Sequence, residues 1–257
     1  TAGDLAEYAP LLAPDGRSVV VGRRRRDGTD LGYWRVTLPG VLPIEERRIL
    51  PDGAPPLGST ALEGDGIDPG TGVTPWGGRG AFSSDGRWLL LARGAGELVL
   101  VDLAADPVAA RSVGIVAAAP PAWSDRSLAF FVAGRRAGDS RTTLYRVPLA
   151  GEPEPLGPAD WVAVGPTGAL ATLGRDADGD PSHVRFAATP LASPSRLTSA
   201  ENLADRAPSF SPDGRTIVFF RVPADAPTRS AGIWLVDPVT RDLRQLTTDG
   251  AYPRWLP

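Results

Sequence analysis

The sequence predicts an all-β fold, a β-propeller built from four-stranded antiparallel blades. Three observations lead to it: an Asp-Gly turn recurs, a later strand pattern recurs behind it, and the repeats are spaced at about the 40 residues that one blade needs. Asp85 and Asp125 are 40 residues apart, Asp125 and Thr167 are 42 apart, and Thr167 and Asp213 are 46 apart. We expect five complete blades and one terminal inner strand, hence a five-bladed propeller or a truncated six-bladed one.

The clearest repeat covers residues 207–248, where four short apolar runs lie between turn residues. Because strands are typically about five residues long and hairpin loops about two to five, this stretch predicts a four-stranded meander. The predicted strands are Pro208–Phe210, Thr216–Val222, Gly232–Val236 and Leu243–Leu246. The tetrapeptide Ser211-Pro212-Asp213-Gly214 predicts a tight turn, since Pro presets φ at the first corner and Gly accepts the left-handed closing position.

The same pattern divides the chain into blades in order. The predicted blades are residues 8–50, 80–115, 120–156, 161–198 and 207–248. Their bulky strand residues are expected to pack between blades, because a single blade cannot bury both of its faces. These residues are Trp34, Trp88, Phe130, Phe131, Phe219, Phe220 and Trp234.

Two segments fall outside this pattern. Residues 51–78 are rich in Gly and Pro, show no strand periodicity and predict a long insertion loop between the first two blades. Residues 251–257 repeat the beginning of a blade, with Trp255 at the position of Phe210. They predict an extra inner strand, which either closes a five-bladed ring or begins a sixth blade.

Composition limits the classes of function. The 257 residues carry a net charge of −3, so no strong field favours nucleic acid. Cysteine is absent, which excludes disulfides and thiolate chemistry, and no apolar run approaches the ~20 residues of a membrane span. The chain begins at Thr1 and contains no Met, so we expect that a leader or a lipid anchor preceded it.

The repeats resemble a known family. The run SFSPDGRTIVFF, followed by GIWLVD and a closing RQLT, is similar to the TolB-type, or WD40-like PD40, propeller repeat. The resemblance is close at 207–248, good at 8–50 and 80–114, degraded at 120–156 and weak at 160–198. It implies the propeller fold more specifically than any function, because the same blade occurs in Tol–Pal assembly proteins, in lipoproteins and in prolyl-oligopeptidase-type and tricorn-type proteases.

The resemblance implies a non-enzymatic module that binds a protein or an envelope component and that is periplasmic or otherwise extracytoplasmic. We expect a monomer that binds no nucleic acid. Two alternatives remain open: the propeller domain of a larger peptidase or sensor, and an enzyme acting on saccharides at the channel mouth. The saccharide enzyme needs two facing carboxylates, for which Glu7 and Asp160 are the candidates.

Candidate binding residues stand just before the predicted inner strands, where a propeller gathers its channel entrance. They are Glu7, Arg79, Asp160, Arg206 and Tyr252. Because they mix both signs of charge, either a polar partner or mutual pairing at the rim would account for them. The run Arg23–Arg26 is interpreted as a solvated hairpin tip, with an acidic or phosphate-bearing partner as the alternative.

A candidate metal site lies in the fourth blade. Asp176, Asp178 and Asp180 alternate along a turn and offer the oxygen ligands that Ca²⁺ prefers. An EF-hand loop would have Gly at its sixth position and Glu at its twelfth, whereas this chain has Pro181 and Ala187. An exposed acidic turn is therefore the alternative, and no other cofactor is expected. His183, the only histidine, is interpreted as a packed or surface residue.

Overall fold

Every secondary-structure element in the described part of the chain is a β-strand. The structure is a computed structural model, and it describes residues 4–41, 45–50, 80–93, 96–177, 180–226, 229–251, 253 and 255. The predicted insertion 51–78 therefore lies outside the described residues. No helix in these ranges has the length and apolar character that crossing a membrane requires.

The strands form five consecutive antiparallel blades. The first blade has β1 Leu5–Leu12, β2 Ser18–Arg25, β3 Asp30–Thr37 and β4 Glu46–Arg48. The second has β5 Gly80–Phe82, β6 Trp88–Arg93, β7 Glu97–Asp102 and β8 Ala109–Ala117. The third has β9 Ala122–Ser124, β10 Ala129–Arg135, β11 Thr143–Pro148 and β12 Glu154–Pro158. The fourth has β13 Trp161–Val164, β14 Leu170–Gly174, β15 His183–Ala187 and β16 Ser195–Arg196. The fifth has β17 Leu203–Phe210, β18 Ile217–Pro223, β19 Ile233–Val236 and β20 Leu243–Thr247.

The predicted Asp-Gly turns are confirmed. Asp213 accepts a hydrogen bond from the backbone N–H of Arg215 at 3.0 Å, and Gly214 follows with φ at 72°. The first two blades make the same turn, with Asp15 and Asp85 in the place of Asp213. Each turn connects the first strand of its blade to the second.

Apolar clusters hold successive blades together, as the sequence predicts. Phe130 packs between the second and third blades, Phe131 between the third and fourth, and Phe219 between the fourth and fifth, and all three are fully buried. Trp34, Trp88 and Trp234 are only half-buried.

The second and third blades depart from the expected separation, because they form one continuous sheet. Strand β8 pairs with β10 through Gly134 and Arg135, opposite Ala117 and Val116. A Cβ atom at Gly134 would lie 2.5 Å from Ile115 Cγ2 and 2.7 Å from the Val116 carbonyl oxygen, so glycine is what permits this approach.

The first strand of the fifth blade begins earlier than predicted, at Leu203 instead of Pro208. A β-bulge between Arg206 and Ser209 interrupts the alternation, with Ala207 at φ 45°. The first blade has the same irregularity between Tyr8 and Leu11. The sequence pattern missed the early part of both strands because each bulge breaks the two-residue period.

The predicted inner strand at 251–257 is described only at 251, 253 and 255, and no strand is assigned at those positions. Trp255 donates from Nε1 to the carbonyl oxygen of Ser209 at 3.2 Å, so it lies against the first strand of the fifth blade.

Candidate functional site

Three of the five predicted entrance residues, Glu7, Asp160 and Arg206, are in the described part of the chain, whereas Arg79 and Tyr252 lie outside it. They occupy the end of the blades where first strands begin and second strands finish. We call this end the upper rim, and the opposite end, which carries the Asp-Gly turns, the lower rim.

In the first blade, Glu7 belongs to a network centred on Arg23. The Arg23 guanidinium donates to Glu7 at 2.9 Å and to Glu46 at 2.8 Å, and it lies 5.1 Å from the centre of the Trp34 ring. The hydrogen bond from Arg23 lowers the pKa of Glu46, and the same bond raises the pKa of Arg23. The interpretation of Arg23–Arg26 as a solvated hairpin tip fits Arg25 and Arg26, which are exposed. It is wrong for Arg23, which is buried in an ion-pair network.

In the fourth blade, Asp160 also pairs with an arginine of its own blade. Arg175, just beyond the end of β14, donates from Nε to Asp160 at 3.1 Å. Both side chains are partly exposed. The two carboxylates proposed as a catalytic pair thus each bind an arginine of their own blade.

Arg206 connects the fifth blade to the fourth. Its Nη1 donates to Ser182 Oγ and, at 3.0 Å, to the carbonyl oxygen of Asp205. Ser182 Oγ in turn donates to the same carbonyl at 2.8 Å. Arg206 therefore supports the junction between two blades.

The sequence analysis missed a buried ion pair of the fifth blade that lies at this junction. Arg221 donates from Nε to Asp205 at 2.9 Å, and the exposed fractions of the two side chains are 4% and 1%. The other Asp205 oxygen accepts from the Val184 N–H at 3.0 Å and from the Thr198 hydroxyl. The Arg221 guanidinium lies 4.4 Å from the centre of the Trp234 ring. The further bonds to Asp205 offset part of the cost of burying this pair, whereas Arg221 Nη2 is buried without a hydrogen-bond partner among the described residues.

His183 lies beside this cluster, and it is packed, as the sequence analysis proposed. The side chain is buried, with 4% of its surface exposed, and Nδ1 has no hydrogen-bond partner within the described residues. Burial lowers the pKa of His183, and the nearby charge of Arg196 lowers it further. Both causes favour the neutral form of the imidazole, whereas the charges of Asp205 and Asp176 oppose them.

Two of the three predicted calcium ligands, Asp176 and Asp180, have different hydrogen-bond partners in the structure. Asp176 accepts from Arg185 at 2.6 Å and from Arg196 at 2.5 Å, and Asp180 accepts from the Ala177 N–H at 3.0 Å. Asp178 lies outside the described residues. Within the described ranges, no three acidic or histidine side chains come together as a metal site would require. Ca²⁺ binding at this turn stays a prediction, and an ion there would compete with two guanidinium groups for Asp176.

No family model and no curated protein matches the sequence. Solved structures do resemble the fold. An oligogalacturonate lyase in complex with manganese gives a TM-score of 0.59 at 18% identity, with 92% of this chain and 64% of the lyase covered. A putative TolB from Agrobacterium tumefaciens gives 0.56 at 16% identity, covering 97% of this chain and 86% of that protein. A prolyl endopeptidase gives 0.61 at 13% identity, covering 96% of this chain and 37% of the peptidase.

The chain thus spans less than two thirds of the lyase and well under half of the peptidase. Identities this low establish the fold and no activity. The chain has a propeller fold of the kind found in TolB.

Proposed function

We propose that this chain is a non-catalytic, TolB-like propeller module that binds a protein or another envelope component outside the cytoplasm. The observation that supports this proposal is the pairing of the upper-rim acids. Glu7 and Asp160 are each bound by an arginine of the same blade. A rim of fixed, paired charges of both signs suits recognition of a polar surface, whereas glycoside hydrolysis needs two carboxyl groups facing one substrate.

The TolB-like resemblance supports the extracytoplasmic location, and attachment through a lipid belongs to the same proposal. The module acts as a monomer and needs no cofactor for this role.

A second candidate function is an enzyme acting on saccharides at the channel mouth, which the likeness to the oligogalacturonate lyase favours. The likeness to prolyl endopeptidases favours a third role, as the propeller domain of a larger peptidase.

Site-directed photo-crosslinking tests the binding proposal. A photo-reactive amino acid is placed at Arg25 or Asp160 on the upper rim and, as matched controls, at the exposed Arg215 or Val239 on the lower rim. Irradiation in an envelope extract of the source cells should give a discrete adduct from the upper-rim positions only, and excess unlabelled chain should compete it away. Adducts from the lower rim alone, or from neither rim, would refute the proposed face.

A further inference from the structure

A cleft of about 310 Å³ opens at the lower rim, between the first and second blades. Three arginines line it, Arg17, Arg35 and Arg47, and Ile49 supplies part of an apolar wall. Two carboxylates, Asp15 and Glu45, also line it, so the five charged groups sum to +1. Comparison with the other blades shows why positive charge is in excess here.

Arg17 lacks the partner that its counterpart has in the second blade. There, Arg87 binds Asp102 through two hydrogen bonds of 3.1 and 2.9 Å. The strand register places Thr37 at the position of Asp102, since Ser18 pairs with Thr37 as Trp88 pairs with Asp102. A hydroxyl therefore replaces the carboxylate that would neutralise Arg17.

Arg35 likewise lacks the partner that its counterpart has in the third blade. Arg146 of β11 lies directly opposite Glu154 of β12 and binds it at 3.0 Å. Arg35 of β3 lies directly opposite Arg47 of β4. Like charges at directly opposed positions of a sheet are destabilising, so an anion between these two guanidinium groups would be stabilising.

In the fourth blade, an anion does lie between two opposed arginines. Arg185 and Arg196 are also directly opposed, and the carboxylate of Asp176 bridges them, with one oxygen on each guanidinium. In the first blade the contacts are separate and longer. Arg35 reaches Asp15 at 3.3 Å, and Arg47 reaches the strongly exposed Asp106 at 3.3 Å. Within the described residues, no carboxylate bridges Arg35 and Arg47.

We propose that the cleft binds an oxyanion, the carboxylate or phosphate group of a small molecule, which bridges Arg35 and Arg47 as Asp176 bridges its two arginines. Guanidinium groups suit this role because their planar fork matches both carboxylate and phosphate. Arg35 Nε donates a hydrogen bond to Ser18 Oγ at 2.8 Å, and this bond fixes the orientation of the guanidinium. Arg17 adds a third positive charge at the cleft. The site lies at the opposite end of the blades from the proposed binding face and does not depend on it.

Thermal unfolding in the presence of anions tests this proposal. The chain is titrated with inorganic phosphate and, separately, with citrate, while sodium chloride holds the ionic strength constant. Saturable binding to the folded state raises Tm by about 3–5 °C at ten times the Kd. A response to phosphate alone or to citrate alone identifies the preferred oxyanion, and either one supports the site.

Two single variants locate the response. Arg35→Gln should weaken binding at least tenfold, whereas Arg146→Gln, which removes the same charge from the corresponding position of the third blade, should leave it unchanged. An absent or unsaturable response in the parent protein, or equal losses in the two variants, would overturn the proposal.

A second design removes the site without removing the fold. Thr37→Asp combined with Arg47→Glu installs the two ion pairs that the second and third blades possess. This double variant should have a Tm equal to or above that of the parent without added anion, and it should lose the anion response. A double variant that still responds to phosphate or citrate as the parent does would contradict the assignment of the cleft.

Discussion

The first and fifth blades carry the same polar motif in two different surroundings. Glu7, Arg23 and Trp34 of the first blade correspond to Asp205, Arg221 and Trp234 of the fifth. In both, the arginine Nε donates to the acid at 2.9 Å and the guanidinium lies against the indole ring. The indole N–H donates three residues back in both, at 3.1 Å and 3.2 Å.

The surroundings differ because only the fifth motif is covered by another described blade. The fourth blade supplies the Val184 N–H and the Thr198 hydroxyl to Asp205, which has 1% of its side-chain surface exposed. Glu7 has 51% exposed, and Arg23 obtains its second partner, Glu46, from its own blade. One motif therefore connects two blades, whereas the other is closed within a single blade, and the two should differ in their contribution to stability.

Replacing the two acids should change the free energy of unfolding by very different amounts. Asp205→Asn leaves the buried Arg221 without a countercharge and should lower the free energy of unfolding by about 3–5 kcal/mol. Glu7→Gln should lower it by less than about 1 kcal/mol, because the pair is exposed and Arg23 keeps Glu46. Urea unfolding of both variants measures the difference, and equal losses would show that burial does not distinguish the motifs.

The next effect concerns the glycines that precede the two tryptophans. Gly232 has φ of 95°, and a Cβ there would lie 2.1 Å from the Thr247 carbonyl oxygen, whereas Gly32 has φ of 75° and 3.1 Å to the Leu50 carbonyl oxygen. Gly232→Ala should lower the free energy of unfolding by about 2–4 kcal/mol, and Gly32→Ala should lower it by about 1–2 kcal/mol. Urea unfolding again measures both. If Gly32→Ala lowers the free energy of unfolding more than Gly232→Ala does, the backbone at Thr247 must shift to accommodate a Cβ more easily than the backbone at Leu50.

A smaller effect is the change of the free energy of unfolding with pH that His183 causes at the junction of the fourth and fifth blades. Burial lowers the pKa of His183; Arg196 and Arg185 lower it further, whereas Asp205 and Asp176 oppose the change. The unfolded chain therefore binds the proton more readily than the folded one. The contribution of His183 to stability is complete above the unfolded pKa of about 6.5 and is lost as pH falls from there through the folded pKa.

Between about pH 7.5 and pH 5.5, the free energy of unfolding should fall further for the parent protein than for His183→Gln. The chain has one histidine, so its NMR titration gives the folded pKa directly. A folded pKa above 6.5 would reverse the sign of the effect and contradict the account of a buried, neutral imidazole.

The smallest effect is expected at the acidic turn of the fourth blade. Because two guanidinium groups hold Asp176, millimolar Ca²⁺ should change Tm by less than about 1 °C. A clear rise in Tm with Ca²⁺ that Asp176→Asn abolishes would restore this turn as a metal site.

The sequence predicts the blade repeat well, because Asp-Gly turns and alternating apolar strands are local features. It also places Phe130, Phe131 and Phe219 correctly between blades. The pairing of Asp205 with Arg221 depends on the register of two strands on either side of a bulge, so no local pattern shows it. A repeat alignment extended to Glu7 and Arg23 would have revealed it.

The arginine cleft was missed for a related reason. The opposition of Arg35 and Arg47 depends on the register in which β3 pairs with β4, and no local pattern fixes that register. The available signal was Thr37 at the position where the second and fifth blades have Asp102 and Asp237. The continuous sheet of the second and third blades depends on the tertiary approach of Gly134, and no sequence pattern indicates it.

An assay for turnover asks whether this propeller is an enzyme. The purified chain is incubated with oligogalacturonides and Mn²⁺, the metal present in the similar lyase structure, and unsaturated product is followed by ultraviolet absorbance. Because the upper-rim acids are held by arginines, we predict no product from the parent chain. Product formation that is lost in a folded Glu7→Gln or Asp160→Asn variant would contradict the account and would make these acids catalytic residues.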